Sequence, residues 1–255
     1  MLGRFLFPDC PREDLFRWRS PETSRIEGFS DAAFGFAITL LVVSLDVPRT
    51  SAALLEALRG FIGLAATFTV LFGFWKAQFT FFRRYGLEDD RTINLTGVFL
   101  FLVLFVVYPL KFVVEAMSAD LLSGGAAPSP FTSREHAVWF LAAYGGGFAG
   151  ILITLALMYA HAYGQRDRLA LGELERFETV ESLRKYAIAG GGSLIFAFVP
   201  AILWIPSGAG QKAALRGIFA VSVAVVLAGL VYRVRLRKRR AEIVARHLAA
   251  QGAGT

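Results

Sequence analysis

Apolar residues along the chain gather into long runs, divided by shorter connections that hold most of the charge. Six runs stand out: Phe29–Val47, Phe61–Phe82, Ile93–Phe112, Ala137–Tyr159, Tyr186–Ile205 and Ala213–Tyr232. Each is roughly 20 residues long, enough for a helix to cross a bilayer core about 30 Å thick. Backbone facing lipid must satisfy its own hydrogen bonds, so the runs predict helices. The ten-residue alternation of barrel strands is absent from the sequence. The first, third and fifth runs are the clearest. The second contains Lys76 and Gln78, and Arg216 intrudes at the start of the sixth.

Composition agrees with this pattern. Hydrophobic residues make up 55% of the chain, charged residues only 18%, and the mean hydropathy is +0.53. A soluble domain of this length is less apolar and more charged. The expected class is an all-α, polytopic membrane protein with six transmembrane helices per subunit. Residues 1–240 are expected to form one transmembrane domain and residues 241–255 a short basic tail.

Charge orients the bundle. The N-terminal segment, the second-to-third and fourth-to-fifth connections and the tail together carry twenty Lys and Arg, against six in the three opposite connections. This positive-inside bias predicts cytoplasmic termini and a multi-pass protein of the plasma or inner membrane. It also explains the net charge of +7. The tail "YRVRLRKRRAEIVAR" directly follows a span, so it reads as an anchor on anionic lipid, with no nucleic-acid partner expected. "MLGRFLFPDCPRED" has too short an apolar core for a cleavable signal. Cys10 is the only cysteine, which excludes an intrachain disulfide.

The connection Met117–Arg134, with "SGGAAPSP", is expected to be a flexible external loop. Gly164–Lys185 is expected to extend a helix into the cytoplasm. The glycine clusters "YGGGFAG" at Tyr144–Gly150 and "AGGGS" at Ala189–Ser193 predict close helix–helix packing. Chemistry of the enzymatic kind finds little support. His136, His161 and His247 are far apart, and no metal-ligand spacing, nucleophile elbow or phosphate cradle is visible. No enzyme activity, cofactor or resident metal is expected.

The first run carries an unusual polar start, "SRIEGFSDAAFGFAITLLVVSLDVP". Ser24 and Glu27 have the spacing of a capping box, so a helix starting at Ser24 is one reading. A shorter helix capped by Ser30 and Asp31, with Arg25 reaching the head groups, is the other. Arg25 and Asp31 lie about 240° apart around a helix and so cannot pair within it. Ionisable groups at span depth are costly when unpaired and usually functional. Beyond them, Phe36, Leu40 and Val43 share one narrow face, with Thr39 beside it and Ala33, Ala37 and Leu41 opposite. Such a stripe either packs against neighbouring helices or lines a pore ringed by symmetry copies.

"RIEGFSD" resembles the R-x-x-x-F-S-D signature of the transmembrane protein 175 family of potassium channels, which stands at the start of that family's first span. "FWKAQ" at Phe74–Gln78, "DDRTINL" at Asp89–Leu95 and "VYPLKF" at Val107–Phe112 resemble segments of its second and third helices. The resemblance covers about the first 115 residues. It implies a homotetramer in lipid that conducts potassium or other monovalent cations through a pore lined by the first helix. Phe36, Leu40 and Val43 would be the apolar constriction and Thr39 its hydroxyl. Arg25, Phe29, Ser30, Asp31, Trp75, Gln78 and Asn94 would form the network that holds the helix. Two positions depart from the family pattern: Phe36 stands where Ile or Leu is usual, and Gln78 where many members have histidine. A secondary transporter or a non-conducting membrane scaffold is the alternative, although no inverted repeat or mid-membrane charged site is evident.

Overall fold

The computed structural model describes residues 16–20, 22–43, 49–123, 131 and 133–202; the sixth apolar run and the basic tail lie outside them. Among the described residues there are five α-helices: α1 (Arg25–Val43), α2 (Ser51–Tyr85), α3 (Asp90–Leu122), α4 (Arg134–Gly164) and α5 (Glu173–Ile202). Each of the first five apolar runs falls on one of them.

The helix starts follow from capping chemistry. The Ser24 hydroxyl accepts from the Glu27 amide at 3.2 Å, and the Glu27 carboxylate accepts from the Ser24 amide at 3.3 Å. This reciprocal capping box decides between the two readings of the first run. Ser30 is one turn inside the helix, its hydroxyl donating to the carbonyl of Ile26 at 2.8 Å. Before α3, the Asp89 carbonyl accepts from the Ile93 amide at 3.0 Å. Before α4, extended Ser133 accepts from the His136 amide at 3.2 Å.

Three helices outrun their apolar cores. α2 begins ten residues before its run, at Ser51. α3 continues through Pro109 to Leu122, so the connection expected to begin at Met117 starts at least six residues later. A membrane helix tolerates proline because neighbours re-satisfy the freed backbone groups. α5 takes up most of the expected Gly164–Lys185 extension, beginning at Glu173. Asp90–Leu110 and Glu135–Gly164 are long and apolar enough to cross a membrane, with mean hydropathies of 2.3 and 1.9.

The core sits among α2, α3 and α4, around Phe81, Phe82, Tyr85, Phe99, Ile151, Leu155 and Met158. α4 and α5 form the most extensive pair. Glycine allows their close approach: a Cβ at Gly145 would stand 2.6 Å from the Cβ of Ala197, and one at Gly190 would stand 3.3 Å from the backbone of Ile153. Both glycine clusters therefore serve helix packing, as small residues do in membranes. α1 packs on α2 and α3, and among the described residues it meets neither α4 nor α5.

α2 ends in a left-handed residue, Gly86, with φ of +57°. The segment Phe16–Ser20 crosses there, and the Arg19 amide donates to the Arg83 carbonyl at 3.1 Å. A Cβ on Gly86 would lie 3.3 Å from the Arg19 carbonyl oxygen. Gly86→Ala is therefore expected to cost about 1–2 kcal/mol from the left-handed backbone alone. A thermal-unfolding comparison in detergent checks this; an unchanged midpoint would show that the crossing relaxes freely.

Candidate functional site

α1 has two faces at helical spacing. Glu27, Ser30, Phe34, Ala37 and Leu41 are buried, with alternating gaps of three and four residues. On the other side Arg25, Ala32 and Thr39 are exposed, as are Phe29 (64%), Phe36 (70%) and Leu40 (65%). The expected apolar face at Phe36 and Leu40 is thus turned away from the subunit's own core, with Thr39 beside it. Val43 ends the helix, and its side chain lies outside the described residues. The Thr39 hydroxyl donates to the Gly35 carbonyl at 2.8 Å. Its proton is thereby committed to its own helix, and its oxygen remains an acceptor.

α1 is joined to α2 by a ladder of polar contacts running antiparallel down the two helices, from the exposed Asp31 to the buried Ser30 and Glu27. Trp75 Nε1 donates to Asp31 Oδ1 at 2.7 Å. One turn on, Gln78 Nε2 donates to the Ser30 hydroxyl at 3.1 Å in a buried contact. At the foot, Arg83 Nε stands 3.2 Å from Glu27 Oε1, with only 15% and 3% of the two side chains exposed. Arg83 also donates to the Ser20 carbonyl and the Thr23 hydroxyl at 3.0 and 3.2 Å. Its guanidinium lies 5.2 Å from the Phe79 ring centroid, and Phe79 stacks on Trp75 at 5.3 Å. Lipid offers no competing partner for these groups, so the ladder fixes both the rotation and the height of α1.

Of the seven residues expected in one network, the structure brings together Ser30, Asp31, Trp75 and Gln78. Arg25 and Phe29 lie on the exposed face of α1, and Asn94 is exposed on α3. Glu27 and Arg83 are the missed members: Glu27 reads as a cap alone and Arg83 as a topology charge. The available signal is that Glu27 shares the three-and-four spacing of Ser30, Phe34 and Ala37.

Two carboxylates at the same end of the bundle, outside the apolar runs, are tuned by their partners. Burial acts to raise the pKa of Asp89, but hydrogen bonds from Thr92 and His161 outweigh it and hold the group below its ordinary value. Thr92 Oγ1 and His161 Nε2 each stand 2.7 Å from the carboxylate. For Glu175, burial again acts upward, and hydrogen bonds from Arg19 and from the Gly172 and Arg17 amides carry the pKa below its ordinary range.

A rotationally fixed helix with an exposed apolar face, an outward hydroxyl acceptor and a basic residue at its start is suited to lining a water-filled or dewettable path, shared with symmetry copies. Known proteins resemble this chain over much of its length. Residues 25–107 match the family described as endosomal/lysosomal potassium channel TMEM175. A potassium channel of Marivirga tractuosa is 35% identical over 175 residues, covering 66% of this chain and 70% of that protein. A potassium channel of Chamaesiphon minutus is 26% identical over 197 residues, covering 73% of this chain and 89% of that protein. The crystal structure of a variant of the potassium channel MtTMEM175, bound to a nanobody–MBP fusion, superposes with a TM-score of 0.69 at 28% identity. It covers 86% of this chain and 97% of that one.

Proposed function

This chain belongs to the TMEM175 potassium-channel family, and from that premise we propose that four copies form a potassium-conducting pore lined by the exposed face of α1. The observation that carries the reading is the division of α1 into a buried face tied to α2 and an apolar face at Phe36 and Leu40 that is largely exposed among the described residues. In a tetramer these side chains ring one axis. Phe36 and Leu40, continued by Val43, form an apolar constriction, and Thr39 places an acceptor oxygen beside it. No ring of backbone carbonyls is required: conduction is governed by wetting of the apolar ring, and a cation crosses where that ring admits water. The phenylalanine faces offer further cation attraction where they tilt toward the axis.

The same reading holds that Ala213–Tyr232 supplies a sixth span, that both termini face the cytoplasm of a plasma or inner membrane, and that the basic tail rests on anionic lipid. The charge asymmetry supports this orientation. Cysteine introduced as Ser123→Cys is expected to react with an impermeant thiol reagent applied from outside intact cells. Reaction only from the cytoplasmic side would reverse the topology.

Purified protein in liposomes is expected to release potassium down its gradient faster than sodium. Equal silence toward both ions in a tetrameric preparation would favour a non-conducting scaffold.

A further inference from the structure

The polar ladder accounts for how α1 is held to α2, but a second attachment exists outside the family-matched residues. Arg19 precedes α1 by six residues, and its guanidinium uses every N–H group. Nε donates to the Leu169 carbonyl at 3.0 Å. One terminal nitrogen donates to the Arg17 and Arg84 carbonyls at 3.1 and 3.3 Å and to Glu175 Oε1 at 3.0 Å. The other donates to Glu175 Oε2 at 2.6 Å and to the Ala170 carbonyl at 3.5 Å. The two side chains are only 13% and 8% exposed. A forked, two-point pair of this kind is geometrically specific as well as strong.

The receiving side is shaped for it. Glu175 also accepts from the Arg17 and Gly172 amides, each at 3.0 Å, closing the first turn of α5. The turn between α4 and α5 holds Ala170 at φ of +46°, a left-handed conformation that costs an alanine energy. Residues kept in such conformations are held there by their surroundings and concentrate at working parts of proteins. Here the strained turn aims two consecutive carbonyls at Arg19. Phe16, three residues earlier, is buried edge-on against Tyr85 with ring centroids 5.8 Å apart. α1 meets neither α4 nor α5 directly among the described residues; the strap ahead of it reaches the α4–α5 turn directly, beside the indirect route through α2, where Arg84 pairs with Glu178 at 3.1 Å.

We propose that Arg19 and Glu175 are positioning residues for conduction: their latch ties the strap leading into α1 to the α4–α5 turn, and so sets how α1 stands about the pore and how often the pore conducts. The proposal rests on α1 lining that pore. The latch lies away from the ion path and touches no residue of the apolar ring. Its loss therefore changes how often the pore is open, leaving what passes unchanged.

Single-channel recording of assembled protein tests this. Arg19→Gln and Glu175→Gln are each expected to change open probability about fivefold or more, the lower range of typical coupling between sites. Unitary conductance and the potassium-to-sodium ratio are expected to stay as in wild type. The double variant is expected to match the singles, because either change already breaks the latch. Wild-type open probability in the variants, additive effects in the double, or altered unitary conductance would each overturn the proposal. If the glutamine variants fail to assemble, Arg19→Lys and Glu175→Asp carry the same comparison, since each keeps charge, the first losing the forked donor and the second the reach to meet it. Should wild type conduct nothing, the channel reading fails separately. Spin labels on Ala32→Cys in a Cys10→Ser background then still measure whether latch variants move α1. Unchanged label distances would overturn the positioning role, and shifted ones would uphold it.

Discussion

Phe36→Ala is expected to raise potassium flux by at least about tenfold, equivalent to roughly 1.4 kcal/mol off the barrier to permeation, and to weaken discrimination against sodium. Four benzyl groups about one axis exclude water from a narrow path, and their removal at symmetric points widens and wets it. Phe36 is 70% exposed within its subunit, so its truncation leaves no large intrachain cavity and little stability should be lost. Phe34 provides the internal control. It lies two residues earlier on the opposite side of α1, is 3% exposed, and packs against Phe99 with ring centroids 6.2 Å apart. Phe34→Ala is expected to cost about 3–5 kcal/mol through lost burial and a cavity, without a comparable gain in flux per assembled channel. Flux and thermal stability measured on both variants separate the two faces. Loss of stability with unchanged flux in Phe36→Ala would remove Phe36 from the pore.

Glu27→Ala and Arg83→Ala are expected to damage assembly most among the polar positions. The pair is largely buried, and removing one partner leaves the other charge uncompensated at a cost of about 3–5 kcal/mol. Because each single change already breaks the contact, the double variant should lose less than the two singles added together. A buried pair of Arg25 and Asp31 would shift this prediction to those residues, but both are exposed and do not face one another. Asp31→Ala forfeits the hydrogen bond from Trp75, an exposed contact whose loss costs about 0.5–1.5 kcal/mol. Tetramer yield in detergent gives the ranking. Equal yields for Glu27→Ala and wild type would mean that the pair contributes nothing to holding α1.

The sequence makes the helices legible because a membrane helix needs an apolar run of fixed length, and five of the six runs land on described helices. Their ends were harder to read. α2 and α3 continue well past their apolar cores, where hydropathy is silent, and Pro109 ends nothing. In α1 both faces are apolar, so spacing alone could not decide which one meets the subunit. Polarity does not decide it either: Glu27 and Ser30 lie on the buried face, but Arg25, Asp31 and Thr39 are exposed. Ser30, Trp75 and Gln78 were reachable through short motifs. Glu27–Arg83 was not, since an arginine near a span end equally serves topology. Arg19 and Glu175 are 156 residues apart, and nothing local in either segment announces the other.

The central claim, that the exposed face of α1 lines the ion path, is tested most directly by substituted-cysteine block in a Cys10→Ser background. Potassium current through assembled channels is recorded while a charged thiol reagent is applied to single cysteines along α1. Block is expected at Phe36→Cys, Thr39→Cys and Leu40→Cys and absent at Phe34→Cys and Ala37→Cys, following the exposed and buried faces of the helix. Block at Phe34→Cys and Ala37→Cys, with current through the Phe36, Thr39 and Leu40 variants untouched, would contradict it.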